Sequence, residues 1–95
     1  MPTPGNKPYT IEYAATVVKQ DIPSLPKPVK DMIKSAIEER LMVDPIGFGK
    51  PLRYSLKGHR RLRVSAYRII YRIEPASHTV VIIAIQHRKN VYGEF

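Results

Sequence analysis

The run Val80–Ile85, VVIIAI, constrains this chain more than any other segment, because it is apolar at six consecutive positions. In a strand, successive side chains point to opposite faces. A run that is apolar at every position therefore reads as a central strand, Val80–His87, with neighbours on both sides. The run is far too short to cross a bilayer, and the opening MPTPGNKP lacks the apolar core of a secretory signal. The chain of 95 residues has room for one domain with one modest core. It holds no cysteine, which excludes a disulfide scaffold, an iron–sulfur centre, a cysteine-based zinc site and a thiol nucleophile. The expectation is a small cytoplasmic protein.

The remaining elements follow from periodicity. Residues 1–8 carry Pro2, Pro4, Gly5 and Pro8 and are expected to be a flexible arm ahead of a domain over 9–95. Tyr9, Ile11 and Tyr13 alternate with polar residues as in a short strand. Ala14, Val17, Val18 and Ile22 then fall on one helical face that Pro23 ends, and Val29, Met32, Ile33, Ala36, Ile37 and Leu41 form the stripe of a second helix. The link between them is short, so the two should form an antiparallel hairpin. Residues 45–58 are rich in glycine and proline and read as a loop pinned to the core by Ile46, Phe48 and Leu52. Arg60–Val64, Tyr67–Glu74 and Val80–His87 are strands, the last two joined by a turn over Pro75–His78. The predicted fold is α+β, a single small βααβββ domain. Its last three strands form an antiparallel meander, and the helix hairpin packs on one sheet face.

The formal net charge is +8, and its placement says more than its size. Residues 1–49 are balanced. After them Lys50, Arg53, Lys57, Arg60, Arg61, Arg63, Arg68, Arg72, Arg88 and Lys89 face only Glu74 and Glu94. Most are arginine, whose planar fork of donors suits phosphate. Alternation puts Arg61, Arg63 and Arg68 on the sheet face away from the helices, so a polyanion is the expected partner, nucleic acid first. Tyr67 and Tyr71 share parity with Ile69 and Ile73 and read as core.

The segment KPLRYSLKGHRRLRVSAYRIIYRI, followed by VVIIAIQHRKNVY, resembles the RelE family of toxins within the RelE/ParE superfamily. The resemblance implies a toxin of a type II toxin–antitoxin system. Its activity would be ribosome-dependent, metal-independent cleavage of messenger RNA in the ribosomal A site by the RNA's own 2′-hydroxyl, leaving a 2′,3′-cyclic phosphate. No cofactor is implied. Carried onto the RLR, YR and HRKNVY segments, the resemblance assigns catalysis to Arg61, Arg63, Arg68, Arg88 and Tyr92, with Lys57, Arg60 and Lys89 as RNA contacts. Arg68 and Arg88 would hold the scissile phosphate, Arg61 and Arg63 the flanking backbone, and Tyr92 would stack on a base.

Arginine is a poor general base, since its pKa exceeds ~12, so the proton acceptor stays open. His87 is the leading acid/base candidate, with Lys57 and His59 behind it and a purely electrostatic site as the remaining option. The resemblance also implies an acidic, partly disordered RelB-like antitoxin that wraps the helix hairpin and sheet edge. Only Gly93, Glu94 and Phe95 follow Tyr92, so inhibition by displacing a terminal helix is not expected. The alternative within the same fold is a ParE-like poison of DNA gyrase or a nucleic-acid-binding member without catalysis.

Overall fold

The computed structural model of the chain describes residues 7–90; residues 1–6 of the expected arm, and Tyr92, lie outside the described residues. Five strands, β1 (Thr10–Tyr13), β2 (Lys50–Pro51), β3 (Arg60–Val64), β4 (Tyr67–Glu74) and β5 (Thr79–His87), form one mixed sheet in the order β1-β5-β4-β3-β2. β5 is central, as its apolar run requires. It pairs in parallel with β1 and antiparallel with β4. The antiparallel meander β3-β4-β5 is present, with a short edge strand added at each side.

The hairpin's first helix closes in a π-type turn, Val17–Asp21, where the Ile22 N–H reaches the Val17 carbonyl at 2.9 Å. Helix α1 (Lys27–Ala36) starts with proline in its first turn, where no donor is lost, and runs on into a second π-type turn, Ile37–Leu41. Val17, Leu25, Ile33, Ile37 and Leu41 are buried against Leu62, Val64, Ile69, Tyr71, Val80, Ile82 and Ile85. Both helical segments therefore cover one sheet face.

The strand pairing contains one irregularity. Ile70 pairs with Ala84, but Tyr71 pairs with Ile82, which leaves Ile83 as an extra residue in β5. This bulge resets the alternation. Ile82 and Ile85 both reach the core, and beyond the bulge Ala84 and Gln86 occupy the opposite face.

The 45–58 segment differs from the expected loop. It contains a short helix, α2 (Pro45–Phe48), capped by the Asp44 carboxylate on the Gly47 N–H at 3.0 Å, and then the two residues of β2. Ile46 (61%) and Phe48 (50%) are largely exposed, so of the three expected apolar pins only Leu52 is buried. Polar anchors replace the others. The buried Tyr71 hydroxyl donates to the Pro45 carbonyl, and the Arg60 guanidinium donates to the carbonyls of Ile46 (2.7 Å) and Gly49 (2.9 Å). Gly49 is required at this junction, because a Cβ there would collide with the Tyr71 hydroxyl and stand 2.8 Å from the Arg61 carbonyl.

Burial raises the Tyr71 phenol above the usual tyrosine range; hydrogen bonding and charge from Arg60 offset this in part, and Asp44 adds to it. Tyr71→Phe is expected to lower unfolding free energy by about 1–3 kcal/mol, because the Pro45 carbonyl loses its buried partner. The raised pKa stabilises the fold below pH ~10, where an unfolded tyrosine is neutral, and this stabilisation is lost as pH rises above that value. Urea titrations at neutral and alkaline pH should show the variant weaker at neutral pH and with a smaller alkaline loss than the parent. Equal midpoints at neutral pH would refute the anchor.

Candidate functional site

The face of the sheet opposite the helices is organised by cross-strand register. Arg63 stands directly across from Arg68, Arg61 across from Ile70, and Arg68 across from Gln86. Like charges directly opposite each other on neighbouring strands oppose folding. Here the Arg63/Arg68 pair has a third cation, Arg61, close enough to act on Arg68. The Arg68 guanidinium has a lowered pKa, first through burial and then through the charges of Arg61 and Arg63. Its Nε atom is buried without a hydrogen-bond partner, and so is the Gln86 Oε1 on the adjacent strand. Apolar residues share this face: Ile70 and Val81 are buried, and the register sets Arg61 and Arg72 across from them, where arginine stems can shelter them.

Arg88 joins the group from the end of β5. The strand stops at His87, a 3-10 turn covers Arg88–Asn90, and the Arg88 N–H donates to the Ala66 carbonyl at 2.8 Å. That bond ties the last strand to the β3–β4 turn. Ser65 in this turn has φ +56°, a left-handed conformation that is uncommon outside glycine. Together Arg63, Ser65, Ala66, Tyr67, Arg68 and Arg88 line a recess of about 130 Å³.

A second recess of about 280 Å³ lies along the β3 edge and is lined by Arg40, Phe48, Lys50, Arg61, Leu62 and Arg63. Arg63 lines both. Among the described residues neither lining includes a carboxylate or an imidazole. Among the described residues no group of three His, Asp or Glu side chains is placed to hold a metal ion, and no helix is long and apolar enough to cross a membrane.

The structure thus brings Arg61, Arg63, Arg68 and Arg88 together and separates them from other residues named from the sequence. Arg60 faces the core side and spends its guanidinium on the loop carbonyls. His87 packs edge-on against Tyr67, with ring centroids 4.9 Å apart, and its Nδ1 accepts from the Lys89 N–H at 3.1 Å; it does not line the recess. Lys57 and Lys89 are exposed outside both recesses, and Arg72 pairs with Glu74 at 2.9 Å. The His59 Nδ1 is buried with no partner.

Tyr67 is half-buried and lines the small recess, a position its apolar parity did not reveal. Gln86, Lys50 and Arg40 also escaped the sequence reading. The first is placed by the bulge and the other two by a two-residue strand and a helix end, none of which has a periodic signal.

On the other side of the molecule an apolar groove of about 800 Å³ runs between β1 and α1, with Tyr9, Ile11, Ile33 and Met42 in its wall. Lys7, Lys30 and Lys34 also line it, against the single carboxylate of Glu38. Burial, and then the Glu38 charge, raise the Tyr13 phenol there.

A family model described as the ParE toxin of type II toxin–antitoxin systems matches residues 11–92. Toxin RelG of Mycobacterium tuberculosis is 34% identical over 85 residues, covering 90% of this chain and 97% of that protein. Toxin RelE of the same organism is 33% identical and covers 90% and 87%. Among solved structures, the RelBE2 toxin–antitoxin complex of M. tuberculosis superposes with a TM-score of 0.81 at 33% identity, covering 88% of this chain and 95% of that one. The intact RelBE complex of E. coli shares the fold, with a TM-score of 0.66 at 21% identity and coverage of 83% and 95%.

An arginine with a buried, unpaired Nε facing two like charges opposes stability where it stands. Arg68→Met is therefore expected to raise the thermal midpoint by about 4–8 °C, the shift of ~1 kcal/mol in a domain of this size. The same variant should bind polyanions more weakly at low salt. A lowered midpoint would show that Arg68 serves the fold instead.

Proposed function

Because this chain belongs to the RelE/ParE superfamily of type II toxins, we propose that its arginine face cleaves messenger RNA on the ribosome. The observation that carries this reading is the cross-strand Arg63/Arg68 pair closed by Arg88, three guanidinium groups around one small recess. In such a cleavage the RNA's 2′-oxygen attacks the adjacent phosphorus and the bond to the 5′-oxygen breaks. The phosphorane in between carries extra negative charge on its non-bridging oxygens. Arg68 and Arg88 are suited to hold those oxygens, and Arg63 and Arg61 to hold the backbone on either side. Tyr92, outside the described residues, keeps its proposed stacking role.

The 2′-hydroxyl proton must leave and the 5′-oxygen must gain one. Among the described residues no imidazole or carboxylate lines the recess, which favours transfer through water or groups that the ribosome supplies. The protein's own contribution is then electrostatic stabilisation and alignment. Such an enzyme works in the cytoplasm, where ribosomes hold the message in place, and cuts free RNA poorly.

The antitoxin is the second proposed partner. The M. tuberculosis RelBE2 and E. coli RelBE toxins were solved in complex with antitoxins. In this chain the groove between β1 and α1 offers apolar walls and three lysines against one glutamate, which suits an acidic amphipathic segment.

Arg68→Ala is expected to lower cleavage on programmed ribosomes by about 100-fold or more, the usual effect of removing one preorganised donor. Mapping new 5′-hydroxyl ends in cells expressing each form checks this. Equal cleavage by both forms, or translation that continues while gyrase supercoiling stops, would refute the reading. Reversing the exposed Lys30 and Lys34 to glutamate is expected to weaken the cognate antitoxin about tenfold or more and to flatten the salt dependence of binding. Unchanged affinity in titration calorimetry would move the antitoxin off this groove.

A further inference from the structure

Phe48 has no role in the core and none in the chemistry described above. Its ring is half exposed, yet the backbone on both sides of it is fixed. The Phe48 N–H donates to the Asp44 carbonyl at 3.1 Å, Gly49 sits against the Tyr71 hydroxyl, and Lys50 pairs with Arg61. A single exposed apolar ring is common on protein surfaces, and what distinguishes this one is its setting. Its neighbours in the recess are Arg40, Lys50, Arg61 and Arg63, all cationic, and Leu62. None of these cations is in an ion pair among the described residues.

An exposed aromatic face set among unpaired cations is the arrangement by which proteins hold single-stranded nucleic acid: the ring takes a base and the cations take its phosphate. We propose that this recess is a subsite for the nucleotide adjacent to the scissile phosphate, its base stacked on Phe48 and its backbone held by Lys50, Arg61 and Arg40. Arg63 lines both recesses, so it spans the two phosphates. This subsite rests on the reading of the arginine face as an RNA site and extends that site along the β3 edge, where β2 pairs only with Arg60 and Arg61. The occupant is single-stranded RNA, because a duplex would keep its bases stacked on one another and unavailable to the ring.

The chain has no tryptophan, so Phe48→Trp installs a single fluorophore at the subsite. The probe is a short single-stranded oligoribonucleotide with 2′-O-methyl groups throughout, which binds without being cut, used at low ionic strength. Its addition should quench Phe48→Trp emission. Phe48→Ala should bind the probe about tenfold more weakly, in the range that loss of one base stack produces, while Phe48→Tyr binds like the parent. Circular dichroism checks that each variant folds.

A probe that fails to bind the parent, binds Phe48→Ala as tightly, or leaves the tryptophan emission unmoved would overturn the subsite. Quenching by polyglutamate but not by the oligonucleotide would overturn it too, assigning the face to an acidic protein. The two readings fail separately. Probe binding through Phe48 without any 5′-hydroxyl ends removes the cleavage and leaves the subsite. Cleavage that depends on Arg68, with Phe48→Ala binding unchanged, does the reverse.

Discussion

The hydrogen bonding of β5 along both of its edges is the constraint on which the rest of this structure depends. β1 joins it in parallel and β4 antiparallel, so the apolar run of this last strand orders elements that are distant in sequence. The extra residue at Ile83 then divides the strand into two phases. Before it, Val80 and Ile82 face the helices; after it, Ile85 and His87 take that side, and Gln86 is turned toward Arg68. Without the bulge His87 would stand on the arginine face. The composition of the recess is thus decided by a local backbone irregularity in the core strand.

The two faces of the sheet carry opposite energetic roles. One is sealed by Leu, Ile and Val from the helices and supplies the burial that holds the fold together. The other gathers cations that repel each other, buries an Arg68 Nε without a partner, and carries a left-handed serine in the turn beside them. A surface selected only for stability would not place Arg63 across from Arg68. The helix-side core tolerates that arrangement, and the Tyr71 and Arg60 anchors hold the 45–58 segment so that Lys50 stays in register with Arg61.

Much of this was legible in the sequence. The apolar run marked β5, the spacing of Ile33, Ile37 and Leu41 marked the helix face, and the alternation of Arg61, Leu62, Arg63 and Val64 marked both sides of β3. What escaped depends on geometry without a period. Arg60 looked like one more surface cation, but its parity with Leu62 turns it inward, where loop carbonyls accept its donors. Phe48 looked like a core residue because it is apolar, yet the loop is anchored by a tyrosine hydroxyl and a guanidinium, and the ring is left outside. Tyr67 shows the converse, a residue whose parity says core and which also lines the recess.

Among the described residues neither an imidazole nor a carboxylate lines the recess, and under the proposed chemistry this has a consequence for control. A site rich in guanidinium binds many phosphates, since every RNA backbone presents them, and affinity alone would make a promiscuous nuclease. A protein that stabilises the phosphorane but transfers no proton itself gains little rate from binding a flexible strand, whose 2′-oxygen is seldom in line with the leaving oxygen. Rate rises only where another body holds the RNA in the reactive geometry and supplies the proton path. Selectivity then follows from where the substrate is already aligned, while the +8 charge serves to bring the protein there. Under the same proposal an acidic partner would inhibit efficiently, because one chain could satisfy the groove lysines and neutralise the arginine field together.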